Sequence, residues 1–166
     1  TYSLSQAYNG QEYRISVKAE KQATPAGVVS NYLHANLNVG DELMVSVPAG
    51  DFVYNTAKGT PVTFLAAGVG ATPLVAMYQA AVKENDAKVK FIHSASHIPL
   101  HPFERELLGI AFPSKNATYV PVTTAASGHI NQDFLAAQVD LTGEVYLCGP
   151  VGFMEAMIQH LTALGM

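Results

Sequence analysis

The feature that most constrains the fold of this chain is a glycine-bearing loop at residues 68–73, with the sequence Gly-Val-Gly-Ala-Thr-Pro. The run at residues 62–66 before it is rich in β-branched and aromatic residues and carries no charge, which predicts a buried parallel strand. Apolar residues at helical spacing predict an amphipathic helix over residues 74–83. Thr72 is expected to cap this helix, and Pro73 is expected in its first turn, where no backbone donor is needed.

The chemistry of this loop favours an anionic ligand. Gly68 and Gly70 allow the backbone to turn tightly and to come close to a ligand. The helix start beyond them offers free N–H groups and a positive dipole end to a phosphate. These features predict a dinucleotide site, although the loop by itself is equally typical of an ordinary tight turn between a strand and a helix.

From residue 61 onward, strand patterns alternate with helix patterns. The predicted strands are residues 62–66, 89–94, 117–122 and 144–148, and the predicted helices are residues 74–83, 103–109, 134–139 and 153–164. Such alternation predicts an α/β domain whose parallel sheet is covered by helices on both faces. We assign residues 56–166 to this domain.

The first part of the chain has a different pattern. Short strand-like runs at residues 2–5, 13–17 and 42–47 are separated by turns, and residues 8–11 form a good hairpin turn. A short helix is expected within residues 27–34. This spacing predicts part of a small antiparallel β-barrel or sandwich over residues 1–55.

Composition excludes several classes of protein. Hydrophobic residues make up 49% of the 166 residues, and charged residues make up 13%, about half the usual share. The low charge indicates a surface partly covered by a cofactor or by neighbouring chain. A net charge of −4 argues against a nucleic-acid partner, and no apolar run is long enough for a membrane span. The single cysteine excludes an internal disulfide framework and a cysteine-ligated iron–sulfur cluster, and it favours a reducing, cytoplasmic setting.

A second unusual loop, at residues 148–154, follows the last predicted strand. Ligands of open α/β sheets bind beyond the carboxyl ends of the strands, so Cys148 is a candidate for ligand contact there. Gly149 and Gly152 would let a flat ligand come close. The alternative is that Cys148 is simply a small buried hydrophobe.

Three histidines, His93, His97 and His101, are spaced four residues apart, as in a metal-binding helix. Pro99 and Pro102 interrupt any helix in this region, and no carboxylate lies between the histidines. We therefore predict no metal site.

Six segments of the chain carry a family resemblance. They are residues 2–5, 13–18, 29–34, 48–52, 67–73 and 147–154. In this order and spacing they resemble the ferredoxin–NADP reductase superfamily and, within it, the reductase module of bacterial flavohaemoglobins. The resemblance covers nearly the whole chain and implies part of an FAD-binding barrel followed by an NAD-binding α/β domain.

This resemblance also implies roles for individual residues. Tyr2 would pack on the isoalloxazine ring of FAD, and Ser3 would bond near its reactive nitrogen. The flavin pyrophosphate would lie at a helix N-terminus formed by Gly27, Val29 and Ser30. The pyridine-nucleotide phosphates would be held by Gly68, Val69, Gly70, Ala71, Thr72 and Pro73, and the nicotinamide site would have Cys148, Gly149 and Pro150 as its floor. Ser3 and Cys148 are the implied catalytic contacts.

The activity that the resemblance implies is hydride transfer from NADH to FAD, followed by single-electron transfer to a haem iron. The haem would lie in a globin domain on the same full-length polypeptide, outside this chain, and the whole would act as a nitric oxide dioxygenase. An arginine of the flavin motif would stand just before Thr1. Because this arginine, the preceding barrel strands and a final strand with its aromatic residue are not in the sequence, we expect weak or no FAD retention by the piece alone.

Cofactor choice is predicted from residues 94–99, which follow the second α/β strand. NADPH-selective relatives place arginine there to pair with the 2′-phosphate, whereas this chain has none before Arg105. NADH is therefore the predicted cofactor. Two alternatives remain open: the reductase component of an oxygenase with an external iron–sulfur centre, and a non-catalytic fragment that binds a nucleotide.

Overall fold

A four-stranded parallel sheet forms the centre of the protein. The computed structural model describes residues 1–21, 24–97 and 100–166. The strands of the sheet are β1 (Val62–Ala67), β2 (Val89–Ala95), β3 (Ala117–Thr123) and β4 (Glu144–Cys148), in the spatial order β3-β2-β1-β4. Every neighbouring pair is parallel. The predicted strands are confirmed, each to within one residue at either end.

Helices cover both faces of this sheet, as predicted. The helices that follow β1 in the chain are α2 (Ala71–Glu84), α3 (Glu104–Ala111), α4 (Thr124–Ser127), α5 (Gln132–Gln138) and α6 (Val151–Ala163), whereas α1 (Val28–Asn36) belongs to the first part of the chain. Successive side chains of a strand point to opposite faces. In β1, Phe64 therefore packs with Leu74 of α2, and Leu65 packs with Met157 of α6. None of the helices within the described ranges is long and apolar enough to cross a membrane.

The start of α2 differs from the prediction. Residues Gly68–Gly70 form a single 3-10 turn that leads directly into the helix at Ala71, three residues before the predicted start. The prediction that Thr72 caps this helix is wrong, because Gly70 takes the cap position without a side-chain bond. The Thr72 hydroxyl instead donates to the Val69 carbonyl at 3.1 Å. Pro73 lies in the first turn of the helix, as predicted.

The first part of the chain contains less regular structure than predicted. Residues 2–5 and 13–17 meet in one antiparallel bridge, between Leu4 and Ile15. The turn between them is held by the Asn9 side chain, whose Oδ1 accepts from two backbone N–H groups. The predicted strand at 42–47 is wrong: these residues are irregular and exposed. A strand needs a neighbour to share its backbone hydrogen bonds, and no residue in the described ranges supplies one to 42–47.

Candidate functional site

The two glycine-bearing loops meet at one edge of the sheet. Strands β1 and β4 are neighbours, and Ala66 pairs with Cys148. The first loop, residues 68–73, follows β1, and the second loop, residues 148–154, begins with the last residue of β4. Parallel neighbours end side by side, so both loops lie at the carboxyl edge, where open α/β sheets bind ligands.

Gly70 is the point of closest approach between the loops. A Cβ atom there would lie 2.5 Å from the Cys148 carbonyl oxygen and 2.7 Å from the Gly149 Cα. Only glycine permits this contact. The side of Gly70 that a Cβ would occupy faces the protein backbone, and the approach of Gly70 to a ligand stays a prediction. Gly149 is similarly enclosed, since its Cβ would lie 2.8 Å from the Phe153 ring and 3.0 Å from the Ala67 Cβ.

Gly68 has an open side. Its φ of +54° is in the left-handed region, and no atom lies within 4 Å of the position a Cβ would take. Val69 beside it is 43% exposed, whereas Ala71 and Thr72 are buried. The Ala71 N–H bonds to carbonyls of the turn, and Pro73 has no N–H. Val69 is therefore the most exposed residue of the first loop, Gly68, Gly70 and Pro73 are half-buried, and the buried Ala71 and Thr72 support the turn.

His93, at the end of β2, fixes the position of the first loop. Its Nε2 lies 3.0 Å from the Gly68 carbonyl oxygen. A carbonyl can only accept, so Nε2 carries the hydrogen of this bond. The ring is fully buried, and burial lowers the pKa of His93 to about 4, which keeps it neutral near pH 7.

The role of His93 was not predicted from the sequence, where it was weighed only as part of a histidine row. The structure separates that row. His93 and His101 are buried with ring centroids 4.9 Å apart, whereas His97 is exposed. Within the described ranges, no three His, Cys, Asp or Glu side chains are grouped to hold a metal ion.

Cys148 is half-buried and makes no disulfide. Burial raises the pKa of its thiol. The thiol therefore stays protonated near pH 7 and presents a neutral surface. This arrangement suits contact with a flat ring and does not make Cys148 a nucleophile.

The residues predicted to bind a flavin lie in the first part of the chain. Ser3 is exposed, and Tyr2 is 37% exposed. Gly27 precedes α1, and Ser30 in its first turn is buried. The Ser30 hydroxyl donates to the Gly27 carbonyl at 3.2 Å and accepts from the Glu20 N–H at 3.3 Å. Ser30 therefore shapes the start of α1, and its hydroxyl is already engaged.

The structure brings the first and second loops together, but it does not bond the flavin-side residues to them. No hydrogen bond among the described residues joins Tyr2, Ser3 or α1 to either loop. In the segment that predicts cofactor choice, Ser94 is buried and Ser96 and His97 are exposed. Residues 98 and 99 of that segment lie outside the described residues.

Comparison with known proteins gives matches along the whole chain. A family model described as an oxidoreductase NAD-binding domain matches residues 64–159. Flavohemoprotein A of Dictyostelium discoideum is 41% identical over 176 residues, covering 99% of this chain and 43% of that relative. The chain thus spans less than half the length of the curated relatives it matches.

Solved structures agree with this match. The flavohem-like FAD/NAD-binding domain of nitric oxide dioxygenase from Vibrio cholerae aligns with a TM-score of 0.80 and 34% identity, covering 99% of this chain and 71% of that domain. A flavohemoglobin from Malassezia yamatoensis with bound FAD and heme aligns with a TM-score of 0.83 and 26% identity, covering 99% and 43%.

Proposed function

Because the chain belongs to the oxidoreductase NAD-binding domain family, and within it to the flavohemoprotein reductase domains, we propose that it is an NADH-dependent flavin reductase module. Residues 1–55 form part of the FAD-binding half, and residues 56–166 form the NAD-binding half. The module passes electrons to a haem in a globin domain of the same polypeptide. The complete protein is a cytoplasmic nitric oxide dioxygenase, and the single cysteine of this 166-residue chain suits a reducing compartment.

One observation carries this proposal: Gly70 lets the two strand-end loops approach within van der Waals contact. Gly68 and Val69 offer an accessible backbone turn at the start of α2, whose dipole favours a phosphate. Cys148 and Gly149 lie directly beside this turn. A pyridine nucleotide with its phosphates on the first loop therefore has the second loop within reach of its nicotinamide.

The residues of the two halves fit the two cofactors in different ways. Tyr2 and Ser3 are exposed and free to contact a flavin ring, while Ser30 shapes the start of α1 toward its pyrophosphate. Cys148 provides a neutral floor for the nicotinamide, and His93 holds the phosphate-binding turn through Gly68. FAD and NADH, when bound, supply the hydride and electron transfer, and the protein supplies orientation.

NADH is the proposed cofactor because no arginine lies among residues 94–97 to pair with a 2′-phosphate, and Arg105 is on the exposed face of α3. The test is anaerobic mixing of the full-length, FAD-loaded protein with NADH or NADPH, following the flavin absorbance. We expect NADH to bleach the flavin faster than NADPH. Faster bleaching by NADPH would contradict the cofactor assignment, and no bleaching by either would contradict the function.

A further inference from the structure

A bidentate ion pair joins residues 1–21, which we call the flavin-side segment, to the α/β half of the chain. Arg14 Nη1 donates to Glu106 Oε2 at 3.1 Å, and Arg14 Nη2 donates to Glu106 Oε1 at 2.8 Å. Glu106 lies in the first turn of α3. Two parallel N–H···O bonds fix the orientation of the guanidinium as well as its distance.

Gln79 extends this contact to α2. Its Nε2 donates to Glu106 Oε1 at 2.6 Å, and its Oε1 accepts the Ala7 backbone N–H at 2.7 Å. Helix α2 begins at Ala71, within the first loop. The flavin-side segment is therefore bonded to the same helix whose start forms the proposed nucleotide-phosphate site.

Arg14 also contacts Ser5 of its own segment and the ring of Phe103. Its Nε donates to the Ser5 hydroxyl at 3.2 Å, and its Nη2 donates to the Ser5 carbonyl. The guanidinium carbon lies 5.5 Å from the centroid of the Phe103 ring. Phe103 has φ 68°, a left-handed conformation that a residue other than glycine keeps only when its surroundings determine it. The Arg14 guanidinium is thus positioned by Ser5 in the first part of the chain and by Phe103 and Glu106 in the α/β half.

These contacts have no hydrogen-bonded substitute among the described residues. Hydrogen bonds from residues 1–21 to residues beyond 56 end on Gln79 or Glu106. Ser5, to which Arg14 donates two hydrogen bonds, is two residues from Ser3 and three from Tyr2 in the sequence. The position of the proposed flavin contacts relative to the first loop therefore depends on Arg14, Gln79 and Glu106, which we call the clamp.

We propose that the clamp sets the alignment of the flavin-side segment with the nucleotide loops and so controls the rate of hydride transfer. Arg14, Gln79 and Glu106 are positioning residues that act through Tyr2 and Ser3. This inference rests on the proposed function. Hydride transfer needs the reacting atoms at near-contact distance, and a displacement of about 1 Å can cost about 100-fold in rate. The clamp touches neither loop, so NADH affinity is independent of it.

The test is stopped-flow reduction of the full-length, FAD-loaded protein over a range of NADH concentrations, which separates the limiting rate from the NADH Kd. Glu106→Gln removes the charge with little change in shape. We expect its limiting rate to fall about tenfold, within the range for a sub-ångström displacement, and its NADH Kd to stay within about twofold of wild type. Arg14→Lys, which keeps the charge but loses the bidentate geometry, gives an intermediate loss.

Two further variants make the result specific. The double variant Arg14→Lys with Glu106→Gln loses less than the product of the two single losses, because both substitutions disrupt the same ion pair. Lys18→Gln removes the exposed Lys18–Glu20 ion pair of the same segment and is the matched control, with an unchanged rate. Amide hydrogen exchange at Ala7, whose N–H bonds to Gln79, accelerates in Glu106→Gln, whereas exchange in the middle of α2 does not change.

The outcomes separate the two proposals. A wild-type protein whose flavin is not reduced by NADH overturns the proposed function and the clamp together. An active wild type with an unchanged limiting rate in Glu106→Gln and Arg14→Lys overturns only the clamp. A rise in NADH Kd that accounts for the whole defect also overturns it, because the defect is then in binding and not in alignment.

Discussion

Gly70 lies where the first and second loops come closest, and its contact is with the carbonyl of Cys148 and the Cα of Gly149. A glycine next to a ligand and a glycine next to a protein backbone look the same in a sequence. Their consequences differ, because a side chain at Gly70 would separate the two loops even when no nucleotide is bound. The loop residue with an open side is Gly68.

Gly70→Ala is therefore expected to damage both stability and nucleotide binding. Its Cβ would lie 2.5 Å from the Cys148 carbonyl oxygen, so the loops must move apart. Overpacking of this kind costs about 1–3 kcal/mol in the free energy of unfolding. We also expect a several-fold increase in the KM for NADH, measured by steady-state flavin reduction. Gly109→Ala in α3, with nothing within 4 Å of its Cβ, is the control, and an equal effect of both variants would contradict this role for Gly70.

His93 makes stability dependent on pH. Burial lowers its pKa from 6.5 to about 4 in the folded protein, so the unfolded chain binds the extra proton first. The neutral, buried form of His93 therefore contributes fully to the free energy of unfolding above pH 6.5, and this contribution is lost as the pH falls toward 4. The difference between these two pKa values corresponds to about 3 kcal/mol. His101 adds to the loss in the same direction, because burial lowers its pKa as well.

His93→Gln, which can still donate to the Gly68 carbonyl but cannot titrate, is expected to flatten this dependence. The measurement is the free energy of unfolding in urea at several pH values between about 7 and 4. The exposed His97 gives the control variant, His97→Gln. If His93→Gln loses as much stability on acidification as wild type does, the buried ring is not the source of the pH dependence.

At the scale of the elements, prediction from the sequence succeeds where one segment determines its own structure. Strand β4 is uncharged after Glu144 and ends at Cys148, directly before a glycine, and both its ends were predicted. Residues 42–47 have an equally strand-like composition, but no strand in the described part of the chain lies beside them, and the pattern cannot show this. The Gly70–Cys148 and Arg14–Glu106 contacts could not be predicted either, because they join residues far apart in the chain.

Helix α5 provides a local test at this scale. The Asn131 side chain accepts the Phe134 N–H at 2.9 Å and so caps the helix. Asn131→Ala is expected to lower the free energy of unfolding by about 1 kcal/mol, because it leaves that N–H without its partner. Asn131→Asp keeps an acceptor and should stay near wild type. Thermal or urea unfolding of the three proteins checks this, and equal losses in both variants would contradict the cap.

At the scale of the whole molecule, the two parts of the chain differ in how they are stabilised. Among the residues that the structure describes, the buried hydrophobic ones all belong to the α/β half, whereas residues 39–53 expose Val39, Met44, Val45 and Val47. The clamp holds the first part to this core, together with Phe52 and Tyr54, whose rings pack against Tyr146. The sequence pattern predicts two parts, whereas the polar contact that aligns them came only from the structure.

Hydrogen exchange with and without NADH tests whether the first and second loops together form the nucleotide site. The full-length, FAD-loaded protein is exchanged in deuterated buffer, and the amides of residues 68–70 and 148–149 are followed. We expect NADH to slow exchange at both loops and to leave α5 unchanged. Reduction of the flavin by NADH with no change of exchange at either loop would contradict it.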